Sequence, residues 1–298
     1  MLEKKRIWLF IALAFGLTWI PGLILTLAGM RYGDALSGFY LMACMLIPAL
    51  ASILVRAFTK EGFRKMGWAP GFQNGGWKWY LAAFFGPTLC MLLGAVAYFL
   101  IFPARFDPSG AAMKAVLSQA GIAEAQIPLV MGVQLIQGLL IGPIINVPFT
   151  LGEELGWRSY LLPKLTGLYG QRKAILLSGL VWGLWHAPII AMGHNYGTGY
   201  WGWPILGILA MVVFCLAMGS FEAFLTFRTG SVWPAAMAHS SLNAITATPV
   251  YFALGTNSPF VGPMMTGLIG GWALLALAIL CYLRSGKEAR ADGHEGDV

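Results

Sequence analysis

Apolar residues run along this chain in long blocks, separated by short polar stretches. A bilayer core takes about 20 helical residues to cross. Eight runs are long enough, near 7–29, 38–58, 78–103, 127–150, 173–193, 203–227, 232–252 and 261–283. The pattern predicts an all-α polytopic membrane protein with eight transmembrane helices. The first run follows Lys4, Lys5 and Arg6, as the apolar part of a signal peptide does. It is too long for one and no small-residue cleavage pattern follows it, so a retained span is expected. The connection at 104–126 is mildly amphipathic and is expected to lie on the membrane surface. No internal repeat or soluble module stands out. The expected organisation is a single transmembrane domain over 1–284, with its motif-bearing core at about 127–252, and a disordered cytoplasmic tail over 285–298.

Composition supports that reading. The chain has 298 residues, 58% hydrophobic and 10% charged, where soluble domains carry about 25% charged residues. The formal net charge is +7. Its basic residues lie between apolar spans and not on one module, so they report membrane orientation, and no nucleic-acid partner is expected. With the N-terminus inside, 16 of the 19 Lys and Arg residues fall in cytoplasmic segments, and only Arg31, Arg105 and Lys114 fall outside. That asymmetry follows the positive-inside rule and puts both termini in the cytoplasm. The expected location is the cell membrane, as an integral multi-pass protein with the lipid bilayer as its partner. Cys44, Cys90, Cys215 and Cys281 lie within spans without paired spacing, and read as packing residues.

Candidate chemistry comes from the polar residues that such a chain should avoid, since a charge inside a span costs about 2.5–3.5 kcal/mol on insertion scales. The stretch "GEELGWRSYLL" places Glu153, Glu154 and Arg158 at the end of the fourth run. His186 lies inside the fifth run, Glu222 in the sixth, and His239 and Asn243 in the seventh. At 1.5 Å per residue, His186 sits ~20 Å from its helix entry, His239 ~12 Å and Asn243 ~18 Å. If the fourth helix continues beyond Arg158, its acids reach a comparable depth, and three helices offer polar groups to one cavity. Glu154 and Arg158 have the i, i+4 spacing of an intrahelical ion pair; Glu153, about 100° away, faces elsewhere. A glutamate near a histidine can hold a water and take its proton during attack on a carbonyl. A histidine and an asparagine on a neighbouring helix can stabilise the oxyanion. Each group also has a bland reading: charged helix ends for the acids and Arg158, interhelical bonding for Asn243, and packing for Trp157, Trp182 and Trp185. Glu222 reads as a partner for Arg228 at a helix interface, or as a cavity acid. His194 and His294 receive no role.

At these residues the sequence resembles the CAAX prenyl protease and bacteriocin-processing family, which includes the type II CAAX endopeptidases. "EELGWR" resembles its EExxxR motif, "WGLWH" its aromatic-xxx-His motif with Trp182 where phenylalanine is common, and "RTGSVWPAAMAHSSLN" a third region ending in HxxxN. The resemblance implies an intramembrane endopeptidase that cuts a peptide or lipidated protein substrate near the cytoplasmic face. It makes Glu153 and His186 the water-activating pair, Glu154 and Arg158 supporting motif residues, and His239 and Asn243 the oxyanion site. Family members have been described both as metalloproteases and as glutamate-dependent enzymes. No HExxH motif is present, and the metal-free reading is preferred, with no cofactor. If zinc binds, its expected ligands are Glu153, His186 and His239. The alternative is a non-catalytic membrane immunity factor, scaffold or transporter of the same fold. A transporter would more naturally show two similar halves, and the motifs here cluster in one.

Overall fold

The computed structural model describes residues 1–64 and 66–286. Lys65 and the tail from 287 on, with Lys287, Arg290 and His294, lie outside the described residues, as does most of the tail expected to be disordered. All regular structure among the described residues is helical. The helices are α1 (Leu2–Leu27), α2 (Ala35–Phe58), α3 (Trp77–Ile101), α4 (Ala111–Gln119), α5 (Ile127–Ile136), α6 (Gly142–Ile145), α7 (Val147–Gly156), α8 (Leu162–Tyr169), α9 (Gln171–Trp185), α10 (Ala187–Ala191), α11 (Ile205–Thr229), α12 (Trp233–Ile245) and α13 (Trp272–Arg284).

Among the described residues, five helical stretches are long and apolar enough to cross a bilayer: Leu2–Leu27, Ala35–Phe58, Trp77–Ile101, Glu124–Ile145 and Ile205–Thr229. Large apolar side chains such as Ile20, Leu23, Phe39, Leu100 and Leu129 stand exposed on them. Lipid solvates such side chains, so this exposure is what a membrane-embedded protein requires. The remaining three runs differ from simple spans. The run at 173–193 is divided between α9 and α10, the run at 232–252 is α12 followed by a 3-10 turn at Thr248–Phe252, and the run at 261–283 becomes helical only at Trp272.

Proline explains most of the breaks. It removes a ladder donor and clashes with the carbonyl four residues back. Wide π-turns at Gln137–Ile141 and Trp157–Leu161 end two residues before Pro143 and Pro163, and the α9–α10 joint at His186 stands two residues before Pro188. Single π-turns inside helices are frequent at functional sites, and the second of these carries Arg158. Helical structure nevertheless resumes in α8, so the condition set for the fourth run, a helix that continues beyond Arg158, is met.

Two compact units make up the chain. The first comprises, among the described residues, those of 1–79, 148–236 and 276–286. Here α11 is the enclosed central helix, with Met211, Cys215, Met218 and Leu225 buried. Small residues let backbones approach closely. A Cβ on Gly152 would stand 2.6 Å from the Met45 carbonyl oxygen of α2, and one on Gly156 would stand 2.8 Å from the backbone carbon and oxygen of Pro48. On α9, a Cβ on Gly183 would meet the Val212 Cα of α11 at 2.5 Å. The stretch that carries the two acids is thus bracketed by a Gly-xxx-Gly contact face of the kind common between membrane helices. Gly156→Ala should lower stability by about 1–3 kcal/mol, the usual cost of overpacking. A thermal unfolding series in detergent checks this, and an unchanged midpoint would count against the close contact.

The second unit comprises 80–147 and 237–275. Part of the apolar face of α4 is covered by protein. Met113 and Leu117 are buried with Ile127 and pack against Val130, Met131 and Tyr251. Ser241 donates to the Phe84 carbonyl at 2.6 Å, and Ala244 of α12 lies against Gly142.

Candidate active site

Glu153 is 4% exposed on α7. Its Oε2 accepts the indole N–H of Trp182 at 2.9 Å and that of Trp157 at 3.3 Å. Trp157 follows Glu153 by one helical turn, so its donor arrives from the same helix face; Trp182 reaches across from α9. Both rings are closed off from solvent, and Trp157 packs edge-on against Phe10 and Trp185 at 5.4 and 5.6 Å between centroids. The carboxylate therefore sits in an aromatic wall and is held by directed donors.

His186 owes its position to the break before Pro188. The ladder tightens at this residue, and its backbone N–H bonds the Gly183 carbonyl three residues back at 3.2 Å. The Trp182 carbonyl, its ordinary helical partner, meets the His186 ring instead, at 2.8 Å from Nδ1. A carbonyl can only accept, so Nδ1 carries the hydrogen, and in the neutral ring Nε2 is the acceptor atom. Cys215 lies 3.8 Å from the same Nδ1.

Arg158 is 1% exposed and lies between two acids that are 0% exposed. It pairs with Glu154 at 3.1 Å, the expected i, i+4 contact, and with Glu222 of α11. Its guanidinium also lies over the Trp182 ring, 4.2 Å from the centroid. Gly219 makes room for it, because a Cβ there would stand 3.0 Å from Nη2. Trp182 thus serves three neighbours at once. Its N–H goes to Glu153, its face to Arg158 and its carbonyl to His186.

The structure brings Glu153, Glu154, Arg158 and His186 together around Trp182. His239 and Asn243 occur one turn apart on α12, in the second unit, with His239 buried and Asn243 exposed. Two features differ from the sequence expectation. Glu222 joins Arg158, and the Arg228 guanidinium stacks on Trp79 and Phe224. Trp157 and Trp182 are hydrogen-bond donors to the acid and not packing residues only. A Glu-xxx-Trp spacing at 153–157 was the available signal for the first of these. No sequence signal pointed to Glu222 meeting Arg158, because that contact joins residues 64 positions apart.

His194, which received no role, lies in the turn after α10. Its ring meets Tyr32 edge-on at 4.8 Å. The Nδ1 atom is shut off from solvent without a hydrogen-bond partner, and this desolvation pushes the imidazole down to about 4 from 6.5. A folded-state value below the unfolded one means that the unfolded chain binds the extra proton first. Stability is then complete above pH 6.5 and is lost progressively as pH falls toward 4. Hydrogen exchange across residues 192–197 should accelerate over that window, after correction for intrinsic rates, and His194→Gln should flatten the dependence.

Residues 129–245 match the model of the Type II CAAX prenyl endopeptidase Rce1-like family. All six motif residues from Glu153 to Asn243 fall inside that segment. A stretch of 44 residues is 46% identical to the CAAX prenyl protease 2 of Methanococcus maripaludis, covering 15% of this chain and 16% of that protein's length.

Proposed function

We propose that this integral membrane protein is an intramembrane endopeptidase that hydrolyses a peptide bond of a membrane-associated or lipidated protein near the cytoplasmic face. The proposal includes eight membrane crossings with both termini in the cytoplasm, on the distribution of basic residues. The observation that carries the function is Glu153, a buried carboxylate held by two indole donors, on the same tryptophan that fixes the tautomer of His186.

In this reading Glu153 and the Nε2 atom of His186 hold one water. As the water oxygen adds to the scissile carbonyl carbon, its proton passes to the Glu153 carboxylate and the carbonyl electron pair moves onto oxygen. Collapse of the oxyanion restores the carbonyl and breaks the C–N bond. The proton held by Glu153 then moves to the departing amine nitrogen. The family resemblance assigns oxyanion stabilisation to His239 and Asn243. Glu154, Arg158 and Glu222 touch no reacting atom in this scheme; they hold the face of Trp182.

The alternative mechanism uses a zinc ion held by Glu153, His186 and His239. His186 suits a metal ligand, since an Nδ1–H bonded to a carbonyl is the usual support for an Nε2 ligand. Glu153 suits it less, because an ion on Oε2 would compete with two indole hydrogens already directed there. We therefore propose the metal-free scheme, and a strong zinc chelator should leave the cleavage rate unchanged. Loss of activity on chelation, restored by zinc, would reverse that choice. The function itself is tested by offering membrane-anchored peptides to the protein in lipid nanodiscs and analysing products by mass spectrometry. Products that depend on Glu153 are expected. None from any anchored peptide would favour the non-catalytic immunity, scaffold or transport reading.

A further inference from the structure

A cavity of about 460 Å³, with charged side chains in its lining, opens in the first unit where α1 begins, α2 ends and α8 passes. It is lined by Glu3, Arg56, Glu61, Arg64, Tyr160 and Lys164, among others. The α1 and α2 stretches are long and apolar enough to cross a bilayer, and the ends that meet here would stand at the boundary between hydrocarbon and water. Its volume is within the usual range of small-ligand sites, about 300–1,000 Å³.

The charges in it do not balance. Lys164 contacts Glu3 at 2.7 Å and Glu61 at 2.6 Å, and Arg6 contacts the same two acids at 2.5 and 3.4 Å. Two cations thus answer two carboxylates. Arg56 and Arg64 are surplus. Arg64 is exposed and forms no ion pair among the described residues. Arg56 is 4% exposed, approaches Glu61 only to 3.5 Å, donates Nη1 to the Gly62 carbonyl at 3.0 Å and stacks over the Tyr160 ring at 5.0 Å. Its Nε is buried with no hydrogen-bond partner. A buried guanidinium N–H without an acceptor is costly, and the planar donors of an arginine match phosphate oxygens in pairs.

We propose that this cavity is a phosphate-binding site, with Arg56 and Arg64 as its principal donors and Tyr160 as the wall that orients Arg56. The phosphate is supplied by the headgroup of an anionic phospholipid or by the free ion. The cavity lies outside the Glu153 site, yet Tyr160 and Ser159 share the π-turn with Arg158.

The test uses the full chain in a zwitterionic detergent, with dihexanoyl phosphatidylglycerol, dihexanoyl phosphatidylcholine and inorganic phosphate as separate probes, and reads thermal midpoint and native mass spectrometry. Phosphatidylglycerol should bind and raise the midpoint where phosphatidylcholine does not. Arg64→Gln, at an exposed position, should weaken it about fivefold, the usual effect of one basic side chain near an anionic surface. Arg56→Lys, which retains charge and loses the planar donors, should do at least as much. If inorganic phosphate produces the same variant-sensitive shift, the free ion is a source; if it produces none while phosphatidylglycerol does, the headgroup is. Equal response to the two lipids, no response to any probe, or binding unaffected by Arg64→Gln would overturn the proposal.

Discussion

Glu153→Gln is expected to give a protein that inserts and folds normally and has lost cleavage, with kcat down by about 10²–10⁴, the range of a general acid–base contribution. Stability should be retained for a geometric reason. The amide oxygen of glutamine can accept the Trp182 and Trp157 hydrogens at 2.9 and 3.3 Å just as the carboxylate does. Removing a buried charge also removes its desolvation cost. What glutamine cannot do is take a proton from water. Thermal midpoint and product formation measured on the same nanodisc preparation separate the two effects. Full activity in a folded Glu153→Gln protein would eliminate the proposed chemistry, whereas loss of fold would show that the carboxylate is a structural anion.

The second large effect is expected at Arg158. Arg158→Ala leaves Glu154 and Glu222 buried beside each other without their shared cation. Removing one partner of a buried pair commonly costs about 3–5 kcal/mol, because the remaining charge is uncompensated. The Trp182 face also loses its cation, so the donor to Glu153 loosens with it. Arg158→Lys keeps the charge but cannot address both acids and the ring in one plane, and should fall between. The triple change Arg158→Met, Glu154→Gln, Glu222→Gln should recover most of the stability, since it removes all three charges together. Thermal unfolding of the three variants in one detergent gives the ordering. An Arg158→Ala protein as stable as the parent would mean that the network is not what holds α7, α9 and α11 in place.

The motif residues were legible in the sequence because each lies on one helix at a helical spacing. Glu154 with Arg158 needs only i, i+4 geometry, and the observed pair has it at 3.1 Å. The position of His186 was less legible. A continuous helix was expected over 173–193, and Pro188 breaks it; that break is what turns the Nδ1 atom to the Trp182 carbonyl. The signal, a proline two residues after the histidine, was present but competes with an unbroken apolar run. The connection at 104–126 was legible as mildly amphipathic, and the burial of Met113 and Leu117 beside Ile127 was not, because periodicity identifies an apolar face but not what covers it.

The sequence by itself determined an all-helical membrane protein and the residue types of its chemistry, since hydropathy over ~20 residues and spacing along one helix are local quantities. Tertiary structure alone decided that Glu222 completes the Arg158 pair, that Trp182 reaches Glu153 from α9, and that Gly152, Gly156, Gly183 and Gly219 make the necessary room. Those contacts join segments distant in the chain. They depend on which helix faces which at separations of a few ångströms, a quantity that no single helix encodes.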